Sequence, residues 1–530
     1  MMILRLPAKV GMSISAVVVA AIAWLAWHMT PLAIAASAAQ GIHRALTIGF
    51  ILFGALVLMK TMQATGAMDR IKLGLHAVSP DMRVQTIVVA FSFIAMLEGI
   101  SGFGTPAIIA APLLMVLGFK PLAAASLALL GDTMACTFGA VATPLIVGLE
   151  NIPIYSSDLV ALVGAQVTLF DLIIAPLLAL GLVAILIFAF STQTHHQKWR
   201  SLVEIAPWAF FIGVVHAASA VIFVRLVGPE FTSIIAGTIS LIVASITARR
   251  GWLTPPTVWR HHANADQAVQ TTAAPIAHMP IWRAWLPYAI VVIALLVSRL
   301  VGPIQHWLLT ALDASWNDIF GFQAISSSWN ILYSPGCILL IGALSASLVG
   351  TKSAKALFQS IPAATKATTT ALLALIPTLI MVQIFTNSGI NTSGLAAMPI
   401  FIAETLAASF NTLWLVIAPL LGAIGALIAG SATVSTLTMA PVQYSIALDT
   451  GLPFVVILAL QMIGAAAGNT IAIHNVVAAS TVVGLTHKEG LIIRKLIIPT
   501  ICYVAIASLI GLILSLALPN SVYVAFNAIM

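Results

Sequence analysis

Eleven apolar runs, each about as long as a membrane-crossing helix, leave this chain few folds to choose from: near residues 10–30, 45–63, 121–148, 160–190, 206–226, 229–248, 284–302, 331–349, 367–386, 453–485 and 496–518. A helix needs about 20 residues to cross the hydrocarbon core, where no water is present to satisfy backbone N–H and C=O groups. Helices meet that demand within one segment, so the expected fold is an all-α polytopic membrane protein. Composition agrees, since 61% of the 530 residues are hydrophobic and 7% charged, with too little polar surface to wrap a soluble core.

Two further runs, 84–118 and 411–449, are too long for one crossing and short for two. Each has a polar, Gly-rich turn in its middle, around Ser101-Gly102-Phe103-Gly104-Thr105 and Gly430-Ser431-Ala432-Thr433-Val434-Ser435. Irregular backbone at membrane depth survives only inside protein or against an aqueous cavity. Both runs therefore read as re-entrant helical hairpins, and their turns as parts of a binding site.

The basic residues orient the chain. With the amino terminus in the cytoplasm, all but Arg44, Arg225 and Arg299 of the 22 Lys and Arg residues fall on the cytoplasmic side, and the carboxyl terminus is periplasmic. The formal net charge of +7 is thus explained by topology and implies no nucleic-acid partner. The run after Arg5 and Lys9 approaches spanning length and reads as a retained first span rather than a cleaved signal peptide. The polar segment 249–283 is a cytoplasmic linker, and its His261 and His262 lack a third ligand for a metal. Cys136, Cys337 and Cys502 have neither CxxC spacing nor polar surroundings and read as small core residues. No metal and no cofactor is expected.

The order of parts repeats. A span (45–63), a polar stretch, a hairpin (84–118) and a Gly-interrupted span (121–148) recur as 367–386, 388–409, 411–449 and 453–485, starting from the opposite side. These are inverted-topology repeats with two re-entrant hairpins and two interrupted transmembrane helices, an architecture that places substrate at the bilayer midplane. The expected division is 1–83 scaffold, 84–190 first transport-unit repeat, 191–386 scaffold with the linker 249–283, and 387–530 second transport-unit repeat.

Restarted helices present free N–H groups and the positive end of their dipole to an anion. Ser101, Gly102, Gly104, Thr105, Ser431, Thr433, Ser435, Thr470 and Asn475 are the candidate substrate-binding residues. None of the interrupted segments contains Arg or Lys, which points to a small anion held by dipoles and hydroxyls. Ser, Thr and Gly also serve close helix packing, and that reading stands beside the functional one for each residue alone. Glu98, Asp132 and His474, ionisable groups inside apolar segments, are the candidate proton-coupling residues, since charge at that depth is costly and usually functional. A structural brace at Glu98 and a satisfied helix contact at His474 are the alternatives. Asp171 lies nearer a span entrance and is expected to be exposed, and Glu404 to be solvated.

The same residues carry a resemblance. Glu98-Gly99-Ile100-Ser101-Gly102-Phe103-Gly104-Thr105-Pro106, with Ala111-Pro112-Leu113-Leu114, Gly118-Phe119-Lys120-Pro121, Phe138-Gly139-Ala140 and Thr143-Pro144, resembles a first signature of the L-lactate permease family. Gly430-Ser431-Ala432-Thr433-Val434-Ser435, Gln443-Tyr444 and Ala465-Ala466-Ala467-Gly468-Asn469-Thr470-Ile471-Ala472-Ile473-His474-Asn475 resemble a second. The resemblance implies proton-coupled symport of lactate, glycolate and other small 2-hydroxymonocarboxylates across the bacterial inner membrane. Its partners are then the carboxylate, the proton and membrane lipid, with homo-oligomer formation left open. Two positions depart from the family's usual Asn, at Ala432 and Asp132, the first removing an amide donor and the second adding a titratable group. A sodium-coupled carboxylate symporter is the alternative within the class. An integral-membrane enzyme is the alternative outside it, without an HExxH, GxSxG or phosphate-loop motif to support it.

Overall fold

A computed structural model describes residues 8–517 apart from 77, 103, 150–151, 261–278, 399 and 402–412. The described residues form helices and no strand, with two isolated β-bridges, Asp313 to Asn330 and Trp316 to Ser327, in one loop. The middle of the linker with His261 and His262, the amino-terminal Arg5 and the stretch carrying Glu404 lie outside the described residues.

The first helices are α1 (Ala8–Leu25) and α2 (Pro31–Ala64). Helix α2 starts well ahead of the expected 45, because Thr30 caps it by accepting the Ala33 N–H at 3.2 Å and Pro31 follows at the first helical position. The alanines between Ala33 and Ala39 then favour helix although hydropathy there is modest. Arg44, expected in a loop before the span, is thereby inside a helix. After α3 (Ala67–His76) comes α4 (Met82–Gln85), which runs through a π-helical stretch (Thr86–Phe93) into α5 (Ile94–Ser101). Helices α6 (Thr105–Val116) and α7 (Pro121–Gly131) follow, then a 3-10 turn (Ala135–Phe138) and α8 (Gly139–Ile146).

Three long helices come next: α9 (Ser157–Phe190), α10 (His195–Leu226) and α11 (Pro229–Arg249). Beyond the linker lie α12 (Ile281–Leu300), α13 (Gly302–Thr310), α14 (Pro335–Thr351) and α15 (Lys355–Thr386). The chain ends with α16 (Trp414–Ala429), α17 (Ala432–Thr450), α18 (Phe454–Thr470), α19 (Ile473–Val482) and α20 (Glu489–Ala517). Six of the described helices are long and apolar enough to cross a membrane, and two bent pairs raise this to eight. The expected runs at 10–30, 121–148 and 331–349 fall on shorter apolar helices instead.

Helix α2 packs against α14 and α15, α1 packs on α15, and α9, α10 and α11 pack in series. The arms α5 and α6 pack on each other, as do α16 and α17, with α18 against both of the latter. Buried polar side chains fasten this second set. Trp414 Nε1 donates to Gln443 Oε1 at 3.0 Å, Gln443 Nε2 to Gln461 Oε1 at 2.6 Å, and Ser435 Oγ to the Gly422 carbonyl at 2.8 Å. Glutamines satisfied in this way hold three helices in one register.

The base of α4 is held by charge. Arg83, 1% exposed, pairs with Asp81 at 2.7 Å and also donates to the carbonyls of Ser201 (2.9 Å) and Thr257 (2.8 Å). Asp81 caps α4 through the Arg83 N–H and accepts the Trp259 N–H, so the start of the linker is tied to the same point. Two expectations are corrected here. Asp171 is 3% exposed, because α9 runs from Ser157 and carries it into the packed interior rather than to an entrance. Cys502 is exposed rather than a core residue, since it lies on an outward face of α20.

Candidate functional site

Four breaks in helical structure meet in space. The first is Gly102-Phe103-Gly104, between α5 and α6. Gly102 (φ 57°) and Gly104 (φ 73°) adopt left-handed backbone that other residues resist, and this reverses the chain in three residues. Thr105 closes the turn by donating its hydroxyl to the Gly102 carbonyl. The second lies between α16 and α17, where Gly430 (φ 69°) ends one arm and Ser431 caps the next by accepting the Val434 N–H at 3.3 Å. The third runs from Asp132 through the 3-10 turn to Gly139, and the fourth is Ile471-Ala472, where the axis bends by 41° between α18 and α19.

These breaks touch one another. The Gly139 backbone lies so close to the Glu98 carboxylate that a side chain there would collide with it, and Gly104 stands in the same relation to Asn475 and Gly430 to His474. Thr133 and Thr470 join the two broken spans hydroxyl to hydroxyl at 2.6 Å, and Asn469 Nδ2 donates to Cys136 Sγ at 3.3 Å. Asn475 Nδ2 donates to the Asn469 carbonyl and to its Oδ1, at 2.9 and 3.0 Å, and so braces the fourth break.

A cavity of about 410 Å³ opens where they meet. Of the residues singled out from sequence, Glu98, Gly102, Ser431, Thr433 and His474 line it. Thr105, Ser435, Thr470 and Asn475 do not; each is buried, and each spends its polar atoms on the internal bonds just described. Gly104 forms the turn behind the wall, and Asp132 is buried beside Glu98. The backbone at Ser101 ends α5, and its side chain lies outside the described residues. Ala432 also faces the cavity, packed among Cys136, Ala426, Ala465 and Ala466.

Several polar atoms here have no partner among the described residues: Glu98 Oε2, Asp132 Oδ1 and His474 Nδ1. Unpaired buried groups are costly, and Glu98 and His474 at the cavity, with Asp132 behind Glu98, are positions where a proton or a ligand can complete the bonding. Adjacent carboxyls such as Glu98 and Asp132 can hold one proton between them.

The cavity also has walls that the interrupted segments do not supply. Helix α2 contributes Arg44 and Thr47, α15 contributes Gln383, and the bridged loop before α14 contributes Trp329, Asn330 and Tyr333. That loop is anchored on α2, where His43 Nε2 donates to the Ala314 carbonyl at 3.0 Å while Nδ1 bonds the Ser327 hydroxyl at 2.8 Å. Gln40 adds a bond to the Ser326 carbonyl at 2.7 Å. Arg44 is a cavity-lining residue that none of the motifs contains; the one sequence signal for it is that, with Arg225 and Arg299, it falls outside the expected cytoplasmic set of basic residues.

The sequence profile of the family described as L-lactate permease matches residues 1–518. A putative L-lactate permease of Haemophilus influenzae is 29% identical over 96% of this chain and 94% of its own length. The L-lactate permease of Escherichia coli K12 is 27% identical, over 96% and 92%. A glycolate permease of the same organism is 25% identical, again over 96% and 92%.

Proposed function

Since the chain belongs to the L-lactate permease family, and is therefore a multi-pass membrane transporter and not an enzyme, we propose that it imports L-lactate and related small 2-hydroxymonocarboxylates, glycolate among them, together with protons. The observation that carries this reading is the cavity. Ser431 and Thr433 line it together with Glu98 and His474, and Gly430, next to Ser431, packs against the His474 ring. A carboxylate and a proton can thus be held in one chamber, which is what coupling their movement requires.

In this reading 84–190 and 387–530 are inverted transport-unit repeats, with α4 to α6 and α16 with α17 as re-entrant hairpins. The segments 1–83 and 191–386 are the scaffold against which they move. The protein sits in the bacterial inner membrane with its amino terminus in the cytoplasm, which puts the loop before α14, part of the cavity wall, on the periplasmic side. Single cysteines placed just before and just after each hairpin should then be labelled from one side, cytoplasmic for the first hairpin and periplasmic for the second. Labelling of one hairpin's flanks from opposite sides would end the repeat assignment.

Substrate contacts are tested at the hydroxyls. Ser431→Ala and Thr433→Ala should each weaken lactate binding by about 1 kcal/mol, the usual net worth of a hydrogen bond, and more where the partner is the carboxylate. Affinities equal to the parent in both variants and in the double variant would place substrate elsewhere. Ser435→Ala serves as a contrast, because its hydroxyl bonds the Gly422 carbonyl inside the hairpin and its loss should lower stability before affinity.

A further inference from the structure

We propose that Arg44 is the cation that receives the substrate's carboxylate, and that its single charge selects monocarboxylates over dicarboxylates. The inference rests on the transport reading above and names the residue that gives the site its substrate class. Arg44 lies within α2, half-buried, on the wall of the cavity that also holds Ser431, Thr433 and Glu98. It makes no hydrogen bond or ion pair among the described residues; the ion pairs found there belong to Arg83 and Arg200.

A guanidinium cannot shed its proton to escape this situation, and a charge left half-buried without a partner is costly. It needs an anion. Glu98, the carboxyl on the same cavity wall, forms no ion pair with it in the structure. A carboxylate ligand supplies the missing charge, and its two oxygens match the paired N–H groups of the guanidinium.

A second donor stands on the same wall. Trp329 Nε1 is a buried N–H with no partner among the described residues. Its ring lies 5.7 Å from that of His43, the residue next to Arg44. Arg44 and Trp329 thus give this wall N–H donors that no described residue accepts from. One fixed cation neutralises one carboxylate, and a second carboxylate on the ligand would enter unpaired, against the same desolvation cost that disfavours an empty Arg44.

The test uses the full-length protein in proteoliposomes, with exchange of labelled lactate measured for the parent, R44K, R44Q and W329F. R44Q should raise KM about 100-fold, as expected when one partner of a desolvated charge pair is truncated. R44K should recover part of that loss, because it restores the charge without the fork. W329F should raise KM several-fold with the protein otherwise intact, which keeps the proposal testable if R44Q inserts poorly. Parent protein should be inhibited by glycolate and pyruvate far better than by succinate or lactamide, and R44Q should lose the discrimination between lactate and lactamide.

R44Q and W329F with the parent's KM and inhibition profile would overturn the inference and leave the transport reading standing. Recovery of lactate affinity in an R44Q/E98Q double variant would also overturn it, since Arg44 would then serve to balance Glu98. A parent protein that exchanges no carboxylate at all would overturn the transport reading itself, and this inference with it.

Discussion

Replacing Glu98 by Gln should leave lactate exchange running while abolishing its accumulation against a gradient, so that an imposed pH difference no longer concentrates lactate inside proteoliposomes. Exchange needs binding and movement of the loaded carrier, whereas accumulation needs a proton to travel with each cycle. The carboxyl of Glu98 is 1% exposed, lines the cavity, and has one oxygen without a partner among the described residues. Gln keeps the shape and one acceptor but cannot carry a proton. Asp132→Asn should have the smaller effect, because Asp132 stands behind Glu98 and the resembled family ordinarily has Asn there. If Glu98→Gln still accumulates lactate to the parent's ratio, the residue is a brace for the turn at Gly102 and the proton takes another route.

The second large effect is on folding. Arg83→Gln should destabilise the protein by about 3–5 kcal/mol, the cost of leaving a buried partner's charge uncompensated. Arg83 is 1% exposed, and its guanidinium joins the Asp81 carboxylate to backbone carbonyls of α10 and of the linker. Thermal unfolding of detergent-purified protein measures it. The double variant Asp81→Asn/Arg83→Gln should lose less than Arg83→Gln alone, because no unpaired charge then remains. Melting of Arg83→Gln within a degree of the parent would mean that the pair does not hold the base of α4.

The sequence exposed the site's breaks more readily than its full wall. Gly102, Gly104 and Gly430 were legible because a left-handed turn between apolar helices has few other solutions. Glu98 and His474 were legible because ionisable groups are rare in such runs. Which hydroxyls face the cavity was not, because Thr105, Ser431 and Ser435 differ only in the rotation of their helix and in the internal bond each makes.

Arg44 was hidden for a different reason. Hydropathy places the start of its span near 45, whereas the Thr30 cap and the alanines after it start α2 at Pro31 and carry Arg44 inside. The wall formed by Trp329 depends on bonds from Gln40 and His43 to residues almost 300 positions away, and no local pattern announces such contacts. Asp171 escaped likewise, because burial on α9 depends on which helices pack against it.

Whether this chain moves a small monocarboxylate with protons is decided by uptake of labelled L-lactate into proteoliposomes under an imposed acid-outside gradient in sodium-free buffer. The expected result is accumulation that rises with the pH difference, collapses on adding a protonophore, and is competed by glycolate but not by succinate. Uptake that ignores the pH gradient and requires sodium, or no uptake of lactate or glycolate at all, would contradict it.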